Sequence, residues 1–308
     1  MKIRNKVLAV LLTVAMVGVL GGCGSSNNNT SGNAAEPTQA ATDTPAATEA
    51  PTDAATETPA EGISGTVTIT GSTSVEKILN DMIDEFTALN PDVTINYTGT
   101  GSSAGIADTA SGANDIGASS RNLKDEEKSA DIKEVTFAYD GIAVAVNPAN
   151  PLTDISTEDL AKIFSGQVTN WSQIGGNDAD IVVVSREGAS GTRSAFEELV
   201  KLEDAGGLTE SATVVEGNGN VQTAVAGNEN AIGYVSFSYI DTTVKALTVN
   251  GVEGTPEHSK SGEYVLSRPF LFVYKEASAS AATKAFIEFS LSEDGQTFVE
   301  KHGGIKVD

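Results

Sequence analysis

Residues 65–90 read GTVTITGSTSVEKILNDMIDEFTALN. The segment Gly65-Thr66-Val67-Thr68-Ile69-Thr70 alternates apolar and polar positions in the manner of a strand. Gly71-Ser72-Thr73-Ser74 then turns the chain. Val75, Ile78, Leu79, Met82, Ile83, Phe86 and Leu89 follow at spacings of three and four, which makes one apolar helix face. Asn90-Pro91 ends that helix, because proline disfavours helical geometry in the residue before it. The unit then recurs. Val93 to Tyr97 is a second strand, Gly99-Thr100-Gly101-Ser102-Ser103 a second Gly/Ser turn, a short helix carries Ile106 and Ala110, and Asp115 to Ser119 is a third strand. Further strands are expected at Gly141 to Val146, Ile181 to Val184, Ala231 to Val235 and Phe270 to Tyr274. Helices are expected at 159–164, around Phe196, Leu199 and Val200, at 222–226, and at 281–289 and 293–299. Strands alternating with helices imply an α/β fold with a largely parallel sheet.

Three segments share one design: Gly71-Ser72-Thr73-Ser74, Gly101-Ser102-Ser103 and Ser190-Gly191-Thr192. In each, a strand ends, a turn of glycine and hydroxyl residues follows, and a helix starts. A helix N-terminus presents unpaired N–H groups and a partial positive charge. Glycine lets a ligand approach the backbone, and hydroxyls add donors, so such turns can cradle an anion. Any one of them alone is explained by helix capping, where Ser and Thr are favoured. Three in one chain, all beyond the carboxyl ends of strands where ligands of open α/β sheets bind, point to a site. Arg186 directly follows a buried strand. It reads either as a bidentate clamp for a tetrahedral oxyanion or as a surface ion pair with Glu187.

The start of the chain addresses the protein to a compartment. Lys2, Arg4 and Lys6 precede an apolar run from Val7 to Leu20, and Leu20-Gly21-Gly22-Cys23 follows. This is the form of a signal peptide over 1–22, too short for a membrane span, which needs about 20 apolar residues. The small residues before Cys23 resemble the lipobox of bacterial lipoproteins, which implies diacylglyceryl attachment at the Cys23 thiol. The alternative is an ordinary signal peptide with a chance cysteine. Residues 23–62 are then a tether of small and acidic residues without Lys or Arg, unable to bury a core, with a reach of about 30–40 Å.

Composition narrows the chemistry. Cys23 is the only cysteine, so no disulfide framework or cysteine metal cluster is possible. The two histidines, His258 and His302, lie outside the Gly-rich turns, and no metal or cofactor is expected. The net charge is −23, and loss of Lys2, Arg4 and Lys6 with the leader takes it to −26. Such a chain does not bind nucleic acid through a basic patch, and it must capture any anion by local, aimed donors.

The chain resembles the phosphate-binding lipoproteins of phosphate-specific ABC transporters over nearly all of residues 64–308. The likeness rests on Gly71 to Val75, Tyr97 to Gly105, Asp115 to Arg121, Ile163-Phe164-Ser165-Gly166, Trp171, Arg186 to Thr192 and Ala231 to Val235. It implies an α/β, two-lobed periplasmic-binding-protein fold of type II, with discontinuous lobes and a ligand cleft between them. The lobes are expected at 63–142 with 268–308, and at 143–267. It also implies a monomeric extracytoplasmic receptor, not an enzyme. Such a receptor binds inorganic phosphate, is held to the membrane by a lipid anchor and delivers to transmembrane permease subunits. By the same resemblance, Thr73, Ser74, the backbone at Val75, Ser102 and Ser120 hold the ligand from one side, and Arg186, Ser190, Gly191 and Thr192 from the other.

One position departs from that pattern. Many family members carry Asp after the Gly-Ala-Ser of the third strand, where it accepts a proton from phosphate and repels sulfate. Here Ser120 stands there, followed by Arg121. Asp140 is either a substitute acceptor or an ordinary turn or hinge residue. Ser120 therefore keeps open a receptor or sensor for another oxyanion, such as sulfate or molybdate. Gly188-Ala189-Ser190-Gly191 invites a serine hydrolase reading, but the Gly-x-Ser-x-Gly elbow is absent and only His258 and His302 are available as bases.

Overall fold

A computed structural model describes residues 62–307. The leader over 1–22, Cys23 and nearly all of the 23–62 tether lie outside the described residues. The described chain opens with strand β1 (Gly65–Gly71), helix α1 (Glu76–Leu89), β2 (Val93–Thr98), α2 (Ser102–Ser111) and β3 (Ile116–Ser119). β1 lies between β2 and β3 and runs parallel to both. The apolar stripe of α1 buries Ile78, Leu79, Met82 and Phe86. Asn90 closes the helix: its backbone N–H and its Nδ2 both donate to the Phe86 carbonyl at 2.9 Å, satisfying an acceptor that the helix end would leave unpaired.

The expectation of a largely parallel sheet is corrected by two long strands, β4 (Ile132–Val146) and β10 (Ser267–Lys275). β10 inserts between β3 and β4 and runs antiparallel to each. β4 is also antiparallel to β8 (Ala231–Ser236), β9 (Lys245–Val249) and β11 (Ile305–Lys306). Parallel pairing holds within the local strand–helix–strand units, as between β8, β6 (Val182–Arg186) and β7 (Thr213–Val215). β10 is the chain's return from 142–266, so it enters against its neighbours. β4 also extends well before its apolar segment at Gly141. Its leading part is half exposed and lacks strict alternation, which is why periodicity underestimates it.

Of four buried hydrophobic clusters among the described residues, the two largest form the cores of this frame. One draws on Val67 to Ala138 and again on Phe270 to Val299, with Phe137 stacked on Phe272 at 4.1 Å between ring centroids. The other draws on Ile142 to Leu266, with Phe196 stacked on Tyr234 at 4.1 Å and Trp171 buried. β4 serves both: Ile132 to Gly141 pair with β10, and Ile142 to Val146 pair with β8. Ile142 donates its N–H to Leu266, so the outgoing and returning chains are bonded where they pass between the cores. The sheet thus continues from one core into the other, as the two-lobed fold expected from the sequence requires.

Candidate anion-binding site

The first turn is shaped by Gly71. It stands at φ +139°, and a Cβ there would lie 2.1 Å from the Ala118 carbonyl oxygen on β3, so glycine is required. Ser72 donates its N–H to that same carbonyl at 2.8 Å, and its Oγ accepts the Ser74 N–H at 3.2 Å. Tyr97 donates its hydroxyl to the Ser72 carbonyl at 2.6 Å. Held in this way, the turn offers the hydroxyls of Thr73 and Ser74 to Arg186, Thr192, Asn218 and Arg268. Thr73 Oγ1 accepts from Arg186 Nη2 at 3.1 Å and from Asn218 Nδ2 at 3.2 Å. Ser74 Oγ accepts from Arg268 Nη2 at 3.0 Å and Asn218 Nδ2 at 3.1 Å, and lies 2.8 Å from Thr192 Oγ1. With both its lone pairs used, Ser74 donates to Thr192, which leaves the Thr192 proton for another acceptor. Val75 is the N-cap of α1 with no side-chain cap, and its own side chain is buried in the first core.

The second turn meets the third through backbone. Gly101 stands at φ +90°, and its N–H donates to Gly71 at 2.7 Å, tying the first two turns together. Ser103 donates its N–H to the Ala189 carbonyl at 3.1 Å. Ser102 Oγ accepts the Ser120 N–H at 3.0 Å and lies 3.3 Å from Ser120 Oγ. Gly191 opens helix α4 (Gly191–Leu199) against this pair: a Cβ on it would fall 2.1 Å from Ser102 Oγ and 2.7 Å from Ser120 Oγ. Ser190 caps the helix, its Oγ accepting the Arg193 N–H at 3.1 Å. Thr73, Ser74, Ser102, Ser120, Arg186, Ser190, Gly191 and Thr192 thus gather where the two cores meet, and all but Thr73 are buried.

Arg186 makes the ion pair with Glu187, but away from the surface. It ends β6 and is paired with Glu187, Nε and Nη2 donating at 2.8 and 2.7 Å, yet it is 1 % exposed rather than on the surface. Its Nη1 is buried with no partner among the described residues. A buried donor without an acceptor is costly, and it marks a place where a ligand acceptor fits.

Arg268 and Asn218 belong to this cluster and carry no motif that would single them out. Asn218 begins helix α5 (Gly217–Ala226); its Oδ1 accepts the Ser236 N–H at 3.1 Å while its amide reaches Thr73 and Ser74. Arg268 sits on β10 directly opposite Asp140 on β4. Asp140 is neither a free acceptor nor a turn residue: Oδ2 accepts from Arg268 Nε and Nη2 at 3.1 and 2.8 Å, and Oδ1 accepts from Ser236 Oγ at 2.9 Å. Burial pushes the Asp140 carboxyl above its ordinary value and the Arg268 guanidinium below its own, each against the pull of the other's charge.

Among the described residues, both histidines bond away from Ser190. His258 Nδ1 lies 2.8 Å from the Glu253 carbonyl and His302 Nε2 lies 2.8 Å from Asp81, while Ser190 Oγ serves as a helix cap.

Comparison with known proteins agrees with this geometry. A PBP superfamily domain is matched over residues 38–294. The phosphate-binding protein PstS of Borreliella burgdorferi is 34% identical over 78% of this chain and 90% of its own length. That of Bacillus subtilis is 32% identical over 99% of this chain and 95% of its own. Among solved structures, a Clostridium perfringens protein assigned as a phosphate ABC transporter substrate-binding protein, with phosphate bound, is 48% identical. It covers 79% of this chain and 100% of its own, with a TM-score of 0.77. On these grounds the chain belongs to the PBP superfamily and, within it, to the family of PstS phosphate-binding proteins.

Proposed function

We propose that this protein captures inorganic phosphate outside the cytoplasmic membrane and hands it to the permease subunits of an ABC transporter. It is a transport receptor and not an enzyme. The ligand is held from one side by Thr73, Ser74, the backbone at Val75, Ser102 and Ser120, and from the other by Arg186, Ser190, Gly191 and Thr192. The observation that carries the assignment is the buried guanidinium of Arg186, whose Nη1 lacks an acceptor among the described residues while Nη2 donates to the hydroxyl of Thr73, 113 residues away. An oxyanion among these donors supplies the missing acceptor.

Magnitudes allow it. Micromolar affinity requires about −8 kcal/mol. Charge-assisted hydrogen bonds contribute about 1.5–3 kcal/mol each, so six to ten of them suffice after an association cost of several kcal/mol. The donors are local, so the net charge of −23 does not oppose capture.

The lobes of this reading are 63–142 with 268–308, and 143–267, closing on the ligand about β4 and β10. The partition of the two cores along the chain supports that division. Cys23 is the lipid-modified anchor, residues 24–62 are its tether, and the receptor works as a monomer.

A second reading, a receptor for sulfate or molybdate, is favoured by Ser120. Its hydroxyl lies against Ser102 Oγ at the position where related proteins carry a proton-accepting aspartate, and it does not repel a fully ionised anion. Calorimetric titration of the chain with phosphate, sulfate and molybdate separates the readings. Micromolar or tighter phosphate binding is expected; no heat with phosphate alongside tight binding of another oxyanion replaces the first reading by the second.

A further inference from the structure

Arg268 repeats the design of Arg186 on the neighbouring hydroxyl of the same turn. Each guanidinium has its inner edge, Nε and Nη2, held by a carboxylate: Glu187 for Arg186 and Asp140 for Arg268. Each spends its remaining Nη2 proton on a turn hydroxyl, Arg186 on Thr73 at 3.1 Å and Arg268 on Ser74 at 3.0 Å. Each leaves Nη1 buried without a partner among the described residues. The guanidinium is a planar fork, so Nη1 lies beside Nη2 on the outer edge and faces the same side as the hydroxyl that Nη2 touches. Arg186 is 1 % exposed and Arg268 3 %, so bulk solvent does not reach these edges. Asn218 bridges the two hydroxyls with one amide nitrogen.

Two buried cations on adjacent hydroxyls of one turn repel each other. Their carboxylates are committed to the inner edges, so between the outer edges the described residues supply donors in excess of acceptors. A dianion answers both the missing acceptors and the repulsion. Resting on the phosphate reading above, we propose that Arg268 is a second guanidinium of the anion site, gripping the ligand from β10 as Arg186 does from β6, with Asp140 as the positioning residue that fixes its plane. With Ser120 in place of an acid, selectivity then comes from charge: the site prefers dianionic hydrogen phosphate to the monoanion. The charged and titratable groups facing Arg268 are Asp140, Arg186 and Tyr234, and Arg121 and Glu198 line with it a small cavity of about 60 Å³ on its other side, toward α4.

The test is phosphate titration of the full chain and its Arg268→Gln and Arg268→Lys variants from pH 6 to 8, with thermal unfolding of each. The unaltered chain should gain affinity as phosphate passes to its dianion. Arg268→Gln should lose about 100-fold in affinity, the worth of one strong charge-assisted hydrogen bond, and its pH rise should flatten. Arg268→Lys keeps the charge and loses the fork, so it should lose about tenfold and keep the rise, at near-normal stability. A purely structural Arg268 would lower stability and leave the pH profile unmoved. Unchanged affinity in a folded Arg268→Gln, or in Arg268→Lys should Arg268→Gln not fold, overturns this proposal alone. Absence of phosphate binding by the unaltered chain overturns the phosphate reading, and this one with it.

Discussion

Gly71–Ser74 and Gly101–Ser103 are alike as sequence, each a glycine at positive φ followed by hydroxyl residues and a helix, and they come from the same core. They differ in what they touch. The first is braced by backbone inside its own half, at Ala118, and reaches the other half chiefly through the side chains of Thr73 and Ser74, with the Thr73 carbonyl accepting from the Tyr239 hydroxyl. The second reaches the other half through backbone, Ser103 N–H to Ala189, while the Arg121 guanidinium holds its Ser103 hydroxyl. The first is a receiver of donors; the second is a stop that sets how near α4 can come. A shared local motif therefore does two jobs, decided by whether its side chains or its peptide groups face the cleft.

The largest effect expected from this contrast is on Gly71. Alanine there meets the Ala118 carbonyl at 2.1 Å within a backbone conformation that side chains rarely adopt. Gly71→Ala should cost about 3 kcal/mol or more of stability, from overpacking and backbone strain together. The loss should be similar with and without saturating phosphate, because the clash lies within one half. Gly101→Ala should behave differently. Its Cβ would meet the Ala189 carbonyl at 2.7 Å, a contact between the halves, at φ +90° and ψ 150°. It should cost about 1–3 kcal/mol of strain and also weaken phosphate binding at least about tenfold, since the stop then stands too far out. Urea unfolding with and without phosphate reads the difference. Equal losses in the two conditions for Gly101→Ala would remove the distinction between receiver and stop.

The same contrast explains what could be read from the sequence. Turn 71–74, turn 101–103 and the 186–192 segment are legible because glycine and hydroxyl residues between a strand and a helix have few uses, and the resemblance to a known family orders them. Arg268 is not legible. It lies in Ser267-Arg268-Pro269, which reads as the unremarkable start of a strand, and its role arises from a register, Arg268 opposite Asp140, between strands 128 residues apart. Asn218 is hidden for a similar reason: within Gly217-Asn218-Gly219-Asn220 any polar residue suits a helix start, and only the packing of α5 shows which amide turns inward. Strand direction was lost in the same way. Local strand–helix–strand units do pair in parallel, but β4 and β10 pair through long-range crossings that periodicity does not encode.

Ser120 sharpens the comparison on the side of the second turn, where it shares the Ser102 hydroxyl. Ser120→Asp places a carboxylate against the ligand. Phosphate, which carries a proton, can donate to it; sulfate cannot. The ratio of phosphate to sulfate affinity should rise by about tenfold or more, the value of one charge-assisted hydrogen bond set against repulsion. Competition titration measures it, and an unchanged ratio would mean that position 120 does not face the anion.

The smallest effect concerns the support behind the stop. Arg121 is nearly buried; its Nη1 and Nη2 each donate to the Glu127 carboxylate at 2.7 Å, and Nη2 also reaches Ser103 Oγ at 3.0 Å. Burial alone would raise the Glu127 carboxyl, but the hydrogen bonds from Arg121 and the Lys124 backbone outweigh it and hold it below the ordinary glutamate value. A carboxyl lowered in the folded state contributes stability that is fully present above its unfolded pKa and is lost as pH falls through the folded one. Glu127→Gln should therefore cost about 1 kcal/mol at pH 7, between the worth of an exposed pair and that of a buried one, and the cost should shrink as pH falls through the carboxylate range. Urea midpoints of both proteins from pH 7 to 3 should converge at the acid end. Because Glu127 reaches the stop only through Arg121 and Ser103, the loss in phosphate affinity should stay well below that of Gly101→Ala; a loss as large would place the ion pair, rather than the Ser103–Ala189 peptide contact, in control of how closely the halves approach.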